Sequence, residues 1–334
     1  MKLWHKFGAS MIVSGLAIGA TPPIAAAQGV VKMDGSSTVF PIAEAVAEEF
    51  QIAKKGKVRV TVGIAGTGGG FKRFCRGETD ISNASRPILK EEMEACKAAG
   101  IKYIELPIAF DALTVVVNPQ NTWAKSLTAA DLKKMWEPAA QGRITKWNQV
   151  RADFPAEPLM MFGPGADSGT FDYFTEAVNG KAKASRTDFQ ASEDDNVIVQ
   201  GVGSNKGAIG YFGYAYYIGN KERIKAVPIT NKKGANVLPS NEAVIDGSYE
   251  PLSRPLFIYV RDTAAARSEV KEFVTFLLSD GAALAKEVGY VPLPAQAYQL
   301  ATKHFNDKKM GTVFGGVPEV GVTIDALLAR EGKL

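Results

Sequence analysis

The chain has 334 residues, 46% of them hydrophobic and 22% charged, with a formal charge of +4. That is enough for two lobes of ~100–200 residues each, and the composition is that of a globular protein. The positive excess is too small and too scattered to indicate a nucleic-acid partner.

Met1 to Ala27 (residues 1–27) reads as a signal peptide. Lys2, His5 and Lys6 form a basic start, Gly8 to Ala20 is small and apolar, and Ala25-Ala26-Ala27 offers a cleavage site before Gln28. The apolar run falls short of the ~20 residues a bilayer span needs. Cleavage would remove Lys2 and Lys6, lower the charge from +4 to +2, and leave the mature chain in the periplasm.

The mature chain alternates strands with amphipathic helices. Val30 to Met33 predicts a strand that runs into Gly35-Ser36-Ser37-Thr38-Val39-Phe40. Pro41 then opens a helix whose buried face carries Ile42, Val46 and Phe50. Lys57 to Ile64 alternates as a strand and meets a second glycine loop, Gly66-Thr67-Gly68-Gly69-Gly70, with a short helix from Phe71 to Arg76 beyond it. Asp80-Ile81-Ser82 predicts a brief strand before Ser85-Arg86-Pro87, where Pro87 marks a helix start. Strands follow at Ile101 to Leu106 and Ala112 to Val117. This rhythm predicts an α/β fold built on a mostly parallel sheet with helices on both faces.

Thr128-Ala129-Ala130-Asp131 has the spacing of a capping box, with Asp in place of Glu. Leu159 to Phe162 predicts a strand that feeds a third loop, Asp167-Ser168-Gly169-Thr170-Phe171, with a helix from Asp172 to Val178. Leu256 to Val260 is a late apolar strand, followed by helical spacing over Val270 to Leu278 and Gly281 to Val288. The chain is expected to leave its first lobe near Val117 and re-enter it near Pro255. Residues 28–117 with 255–334 then form lobe I, residues 118–254 form lobe II, and the ligand lies in the cleft between them.

Helix N-termini carry unpaired N–H groups and a partial positive charge, so each of the three loops suits an anion. Glycine permits close approach, and Ser or Thr adds a hydroxyl. Nucleotide templates fail at Phe71, which stands five residues beyond Gly66, where a P-loop and a dinucleotide fingerprint both require Gly. Ser168 sits one place late for a nucleophile elbow. A triad would depend on His304, which reads as a solvated residue on an exposed helix. Cys75 and Cys96 would pair in an exported chain, free buried thiols being the alternative. Arg86 offers a donor fork to an oxyanion or an ion pair to Glu91 or Glu92. Asp194 and Asp195 read as helix caps.

Taken together, Asp34 to Pro41, Ala65 to Gly70, Asp80 to Pro87, Asp111 to Asn118 and Asp167 to Phe171 resemble the extracytoplasmic phosphate-binding proteins of Pst-type ABC importers, the PstS family, and in particular its SphX-like branch. The resemblance runs the length of the mature chain. It implies a two-lobed type II periplasmic binding protein fold, each lobe a mixed, mostly parallel sheet flanked by helices, in a monomer without cofactor or catalysis that closes on inorganic phosphate and delivers it to a membrane permease. By position it implies ligand contacts from Ser37, Thr38, Val39, Phe40, Thr67, Ser168, Gly169 and Thr170. Better-known members carry an arginine where this chain has Pro164 and an aspartate where it has Ser85. Arg86 beside Ser85 is therefore expected to supply the guanidinium. Asp167, then Asp111, are expected to supply the carboxylate that accepts the phosphate proton and rejects sulfate. Receptors for sulfate or arsenate and a secreted phosphatase or esterase are the alternatives.

Overall fold

The computed structural model describes residues 29–317 and 319–333, so the signal-peptide segment lies outside the described residues. Two mixed sheets organise the chain. The first has six strands in the order Val291–Pro292, Tyr103–Ala112, Ser253–Arg261, Ile81–Ala84, Gly29–Gly35 and Val58–Val62. Its last three strands are mutually parallel, as βαβ units require. The return strand Ser253–Arg261 runs antiparallel to both of its neighbours. The second sheet has five strands, Lys225–Ala226, Thr114–Val117, Ala208–Phe212, Met160–Pro164 and Gln190–Ser192, with two antiparallel and two parallel pairings. A returning strand inserted into each sheet raises the antiparallel share above what the βα alternation suggests.

The chain changes sheet at a single residue. Tyr103–Ala112 belongs to the first sheet and Thr114–Val117 to the second, with Leu113 between them. Leu113 N–H donates to Leu252 O at 2.8 Å, which ties the outgoing crossing to the returning one just before Ser253. The run from Phe110 to Val117 is buried throughout, so its hydrophobicity carries no mark of the crossing. Thr114–Val117, expected in lobe I, pairs with lobe II strands.

Several helices differ in extent from their predicted ranges. The second glycine loop is itself helical: Gly66–Cys75 is one helix, and the predicted Phe71 start lies in its second turn. Likewise Gly169–Asn179 begins at the third loop rather than at Asp172. Pro87 is not a helix start, because the next helix is Lys90–Ala98. Ser268–Glu287 is one continuous helix through Gly281. The Thr128 capping box forms as expected: Asp131 N–H donates to Thr128 Oγ1 at 3.0 Å, and Thr128 N–H donates to Asp131 Oδ2 at 2.9 Å.

Phe50, Phe71, Phe74, Tyr259 and Phe273 fill the core around the first sheet, and Trp136, Trp147, Phe174 and Tyr211 that around the second. Burying each such ring contributes about 1.5–3 kcal/mol. Cys75 and Cys96 form a disulfide that staples the end of Gly66–Cys75 to Lys90–Ala98. His304, expected on the surface, is buried between the two last helices with Nδ1 3.1 Å from Glu331 Oε2.

Candidate functional site

Three helices aim their first turns at the seam between the sheets: Phe40–Ala53 and Gly66–Cys75 from the first lobe, and Gly169–Asn179 from the second. Two glycines make the approach possible. Gly66 has φ +73°, and a Cβ there would lie 2.6 Å from Asp167 O. A Cβ on Gly169 would lie 2.4 Å from Thr67 Oγ1 and 2.7 Å from Ser85 Oγ. Gly68 N–H donates across the seam to Asp167 O at 2.7 Å.

Arg254, near the start of the return strand, lies at the centre and is fully buried. Its Nη2 donates to Thr38 Oγ1 at 3.2 Å and to Thr170 Oγ1 at 2.8 Å. Those two hydroxyls, one from each lobe, are 2.9 Å apart. Asp111 Oδ2 accepts from Arg254 Nε and Nη2 at 3.2 and 3.0 Å, and Asp111 Oδ1 accepts from Tyr214 N–H at 2.9 Å. Burial raises the Asp111 pKa, with Arg254 pulling the other way. Thr67 Oγ1 lies 3.3 Å from Ser85 Oγ and accepts from Ser85 N–H at 3.2 Å. Ser168 Oγ caps its helix by accepting from Thr170 N–H at 3.1 Å. Tyr290 and Tyr216 hydroxyls hold the Thr38 and Ser37 carbonyls and so fix the first loop.

The structure thus brings Ser37, Thr38, Val39, Phe40, Thr67, Ser85, Ser168, Gly169 and Thr170 to one seam, all but Phe40 buried. It places Arg86 and Asp167 differently from expectation. Arg86 is neither a surface residue nor free to face an anion: Glu92 takes two of its donors at 2.8 Å, Asp172 takes Nε at 2.7 Å, and Pro87 O accepts from Nη1 at 3.1 Å. Burial by itself would lower its pKa, but Glu92 and then Asp172 hold it above the ordinary value. Asp167 is 41% exposed at its side chain and pairs with Lys72 at 2.6 Å. Asp111 is already committed to Arg254.

Sequence reasoning missed two residues. Arg254 sits in Ser253-Arg254-Pro255, a second copy of the tripeptide at 85–87, and that repetition was the available signal. Asp195, read as a cap, is fully buried, and neither carboxylate oxygen has a hydrogen-bond partner. Asp194 does the capping, accepting from Asn196 N–H at 2.9 Å. Burial pushes Asp195 up to about 8, while the nearby Ser37 hydroxyl and Arg254 pull it down. Nothing in the sequence separates it from Asp194. Among the described residues no group of three His, Cys, Asp or Glu side chains is arranged to hold a metal ion.

The seam can therefore hold a small anion between helix N-termini, hydroxyls and one buried guanidinium. Residues 20–281 match the model of the PBP superfamily domain. Protein SphX of Synechococcus elongatus is 55% identical over 92% of this chain and 90% of its own. The phosphate-binding protein PstS of Staphylococcus saprophyticus is 39% identical over 89% of this chain and 92% of its own. Among solved structures, a substrate-binding protein of Clostridium perfringens, assigned to a phosphate ABC transporter and holding bound phosphate, is similar with a TM-score of 0.67 and 28% identity. That match covers 80% of this chain and 100% of the other.

Proposed function

The chain belongs to the family of SphX and PstS proteins within the PBP superfamily, and from that premise we propose that it captures inorganic phosphate between its lobes and delivers it to the membrane permease of an ABC importer. It works outside the cytoplasmic membrane, in the periplasm, as a monomer without catalysis. The observation that carries this reading is Arg254 held between Thr38 and Thr170, two hydroxyls that arrive from opposite lobes.

Arg254, rather than Arg86, supplies the counter-charge, because besides Asp111 and Gly169 O its partners are the Thr38 and Thr170 hydroxyls, which can turn to a ligand. Hydroxyls of Ser37, Thr38, Thr67, Ser85, Ser168 and Thr170 and the first-turn amide of Gly169 supply the remaining donors, whereas the Phe40 amide is turned onto Ser36 O and Ser37 O and the Val39 amide onto Ser36 Oγ. The anion bonds both lobes at once, so it selects the closed state. Asp195 takes the role expected of Asp167 or Asp111. When ionised it accepts the proton of hydrogenphosphate and repels fully ionised sulfate. When neutral it can donate to either anion. A hydrolase reading lacks support in the geometry, since Ser168 Oγ caps its helix and His304 is sealed against Glu331.

Isothermal titration with phosphate, arsenate, sulfate and molybdate at neutral pH tests the reading. Phosphate is expected to bind tightly and one to one. Strong sulfate binding without phosphate binding would overturn it in favour of another oxyanion. Release of p-nitrophenol from an ester substrate would overturn the non-catalytic part.

A further inference from the structure

Helix Gly169–Asn179 does two things in succession. Its first turn, Ser168 to Thr170, faces the anion seam, while the next residues, Asp172 and Tyr173, grip lobe I at other points. Asp172 Oδ2 accepts from Arg86 Nε at 2.7 Å, and both side chains are no more than 3% exposed. Tyr173 hydroxyl donates at 2.6 Å to the carbonyl of Ser253, the first residue of the return strand in the first sheet, and accepts from Gly321 N–H at 2.9 Å. Neither set of bonds involves the residues placed around the anion.

We infer that the buried Arg86–Asp172 pair is an interlobe latch, which sets how firmly the closed state holds without touching the ligand. The asymmetry of the partners supports this. Glu92 belongs to lobe I and binds Arg86 through both Nη groups, so it keeps the guanidinium paired and aimed when the lobes separate. Asp172 is the partner that leaves. On opening, its carboxylate exchanges one buried cation for water, and on closing it must shed that water again. A pair of this kind contributes little as a sum but is costly to break from one side. Arg86 is thus a positioning residue for closure. The fork geometry of arginine is needed, because a single ammonium cannot hold Glu92 twice and reach Asp172 as well.

The inference rests on the phosphate-trap reading, and the test separates the two. Asp172→Asn is nearly isosteric and lies outside the anion cradle. Stopped-flow measurement should show phosphate leaving ~10-fold faster, with the association rate within ~2-fold of the parent. An unchanged off-rate, or tighter binding because the released Arg86 turns to the anion, overturns the latch. If the parent binds no phosphate, the trap reading fails and solution scattering decides the latch instead. A larger radius of gyration for ligand-free Asp172→Asn than for the parent upholds it, and equal radii overturn it. Should Asp172→Asn not fold, as judged by circular dichroism, Arg86→Lys takes its place with the same expected direction and the same overturning results.

Discussion

The tripeptide Ser-Arg-Pro occurs at 85–87 and again at 253–255, and both arginines are buried at the interlobe seam. Their surroundings differ in charge count. Arg86 meets two carboxylates, Glu92 and Asp172, so its cluster already has more negative than positive charge. Arg254 is ion-paired with one, Asp111, and its other strong contacts are the Thr38 and Thr170 hydroxyls. A guanidinium surrounded by carboxylates is a clasp; one surrounded by hydroxyls can receive an anion. Identical local sequence thus meets different partners in the two places, because those partners come from distant parts of the chain, and the proposed roles in closure and recognition follow from that difference.

The comparison breaks most clearly at Arg254. Arg254→Gln should weaken phosphate binding by ~100-fold or more, since it leaves a desolvated anion without its counter-charge. A dissociation constant within a few-fold of the parent, by titration calorimetry, would remove Arg254 from the site. The covalent staple should behave in the opposite way. Reducing Cys75–Cys96, whose sequence separation is 21, should cost about 3 kcal/mol of stability in denaturant unfolding. Phosphate affinity should stay near the parent value, because the disulfide joins two lobe I helices away from Arg254.

A smaller effect sharpens the role of Asp195. With its pKa raised to about 8, chiefly by burial, this carboxyl is neutral below that pH and donates to sulfate as readily as to phosphate. Above it the ionised form accepts only from a ligand that still carries a proton. Preference for phosphate over sulfate should therefore rise ~10-fold between pH 7 and 9, as read by competition titration. Asp195→Asn should flatten that rise, and a persistent slope would assign the proton acceptor elsewhere.

A last effect concerns stability alone. Burial raises Asp195 and Glu331 to about 8 and Glu105 to about 7. Between the ordinary carboxylate range near 4 and these values, the folded state binds more protons than the unfolded one. Stability should therefore fall as pH rises through this window. In phosphate-free buffer the thermal midpoint at pH 5.5 should exceed that at pH 8.5. A midpoint that rises instead would show that these carboxyls are hydrated or paired in solution.

Much of the fold was legible in the chain because its signals are local. Glycine-hydroxyl stretches marked three helix starts, Thr128 and Asp131 marked a cap, and hydrophobic alternation marked the strands. Boundaries went astray where one local pattern suits two structures: Gly66 to Gly70 reads as a loop but packs as a helical turn, and the buried run through Leu113 shows no break where it changes sheet. The candidate site was legible in its loops and not in its charges. Asp194 and Asp195 are adjacent acids at one helix start, and only the packing of lobe II against Ser37 distinguishes a solvated cap from a buried carboxyl.

By itself the sequence determined that three helices would start at hydroxyl-bearing glycine stretches, since glycine, Ser and Thr at a helix start act over a few residues. It also determined the α/β class, through the order of its strands and helices. Only the tertiary structure decided which arginine meets the Thr38 and Thr170 hydroxyls and which is consumed by Glu92 and Asp172. Charge pairing in a buried seam depends on which residues from distant segments arrive beside each guanidinium. No window of sequence around Ser-Arg-Pro contains that information.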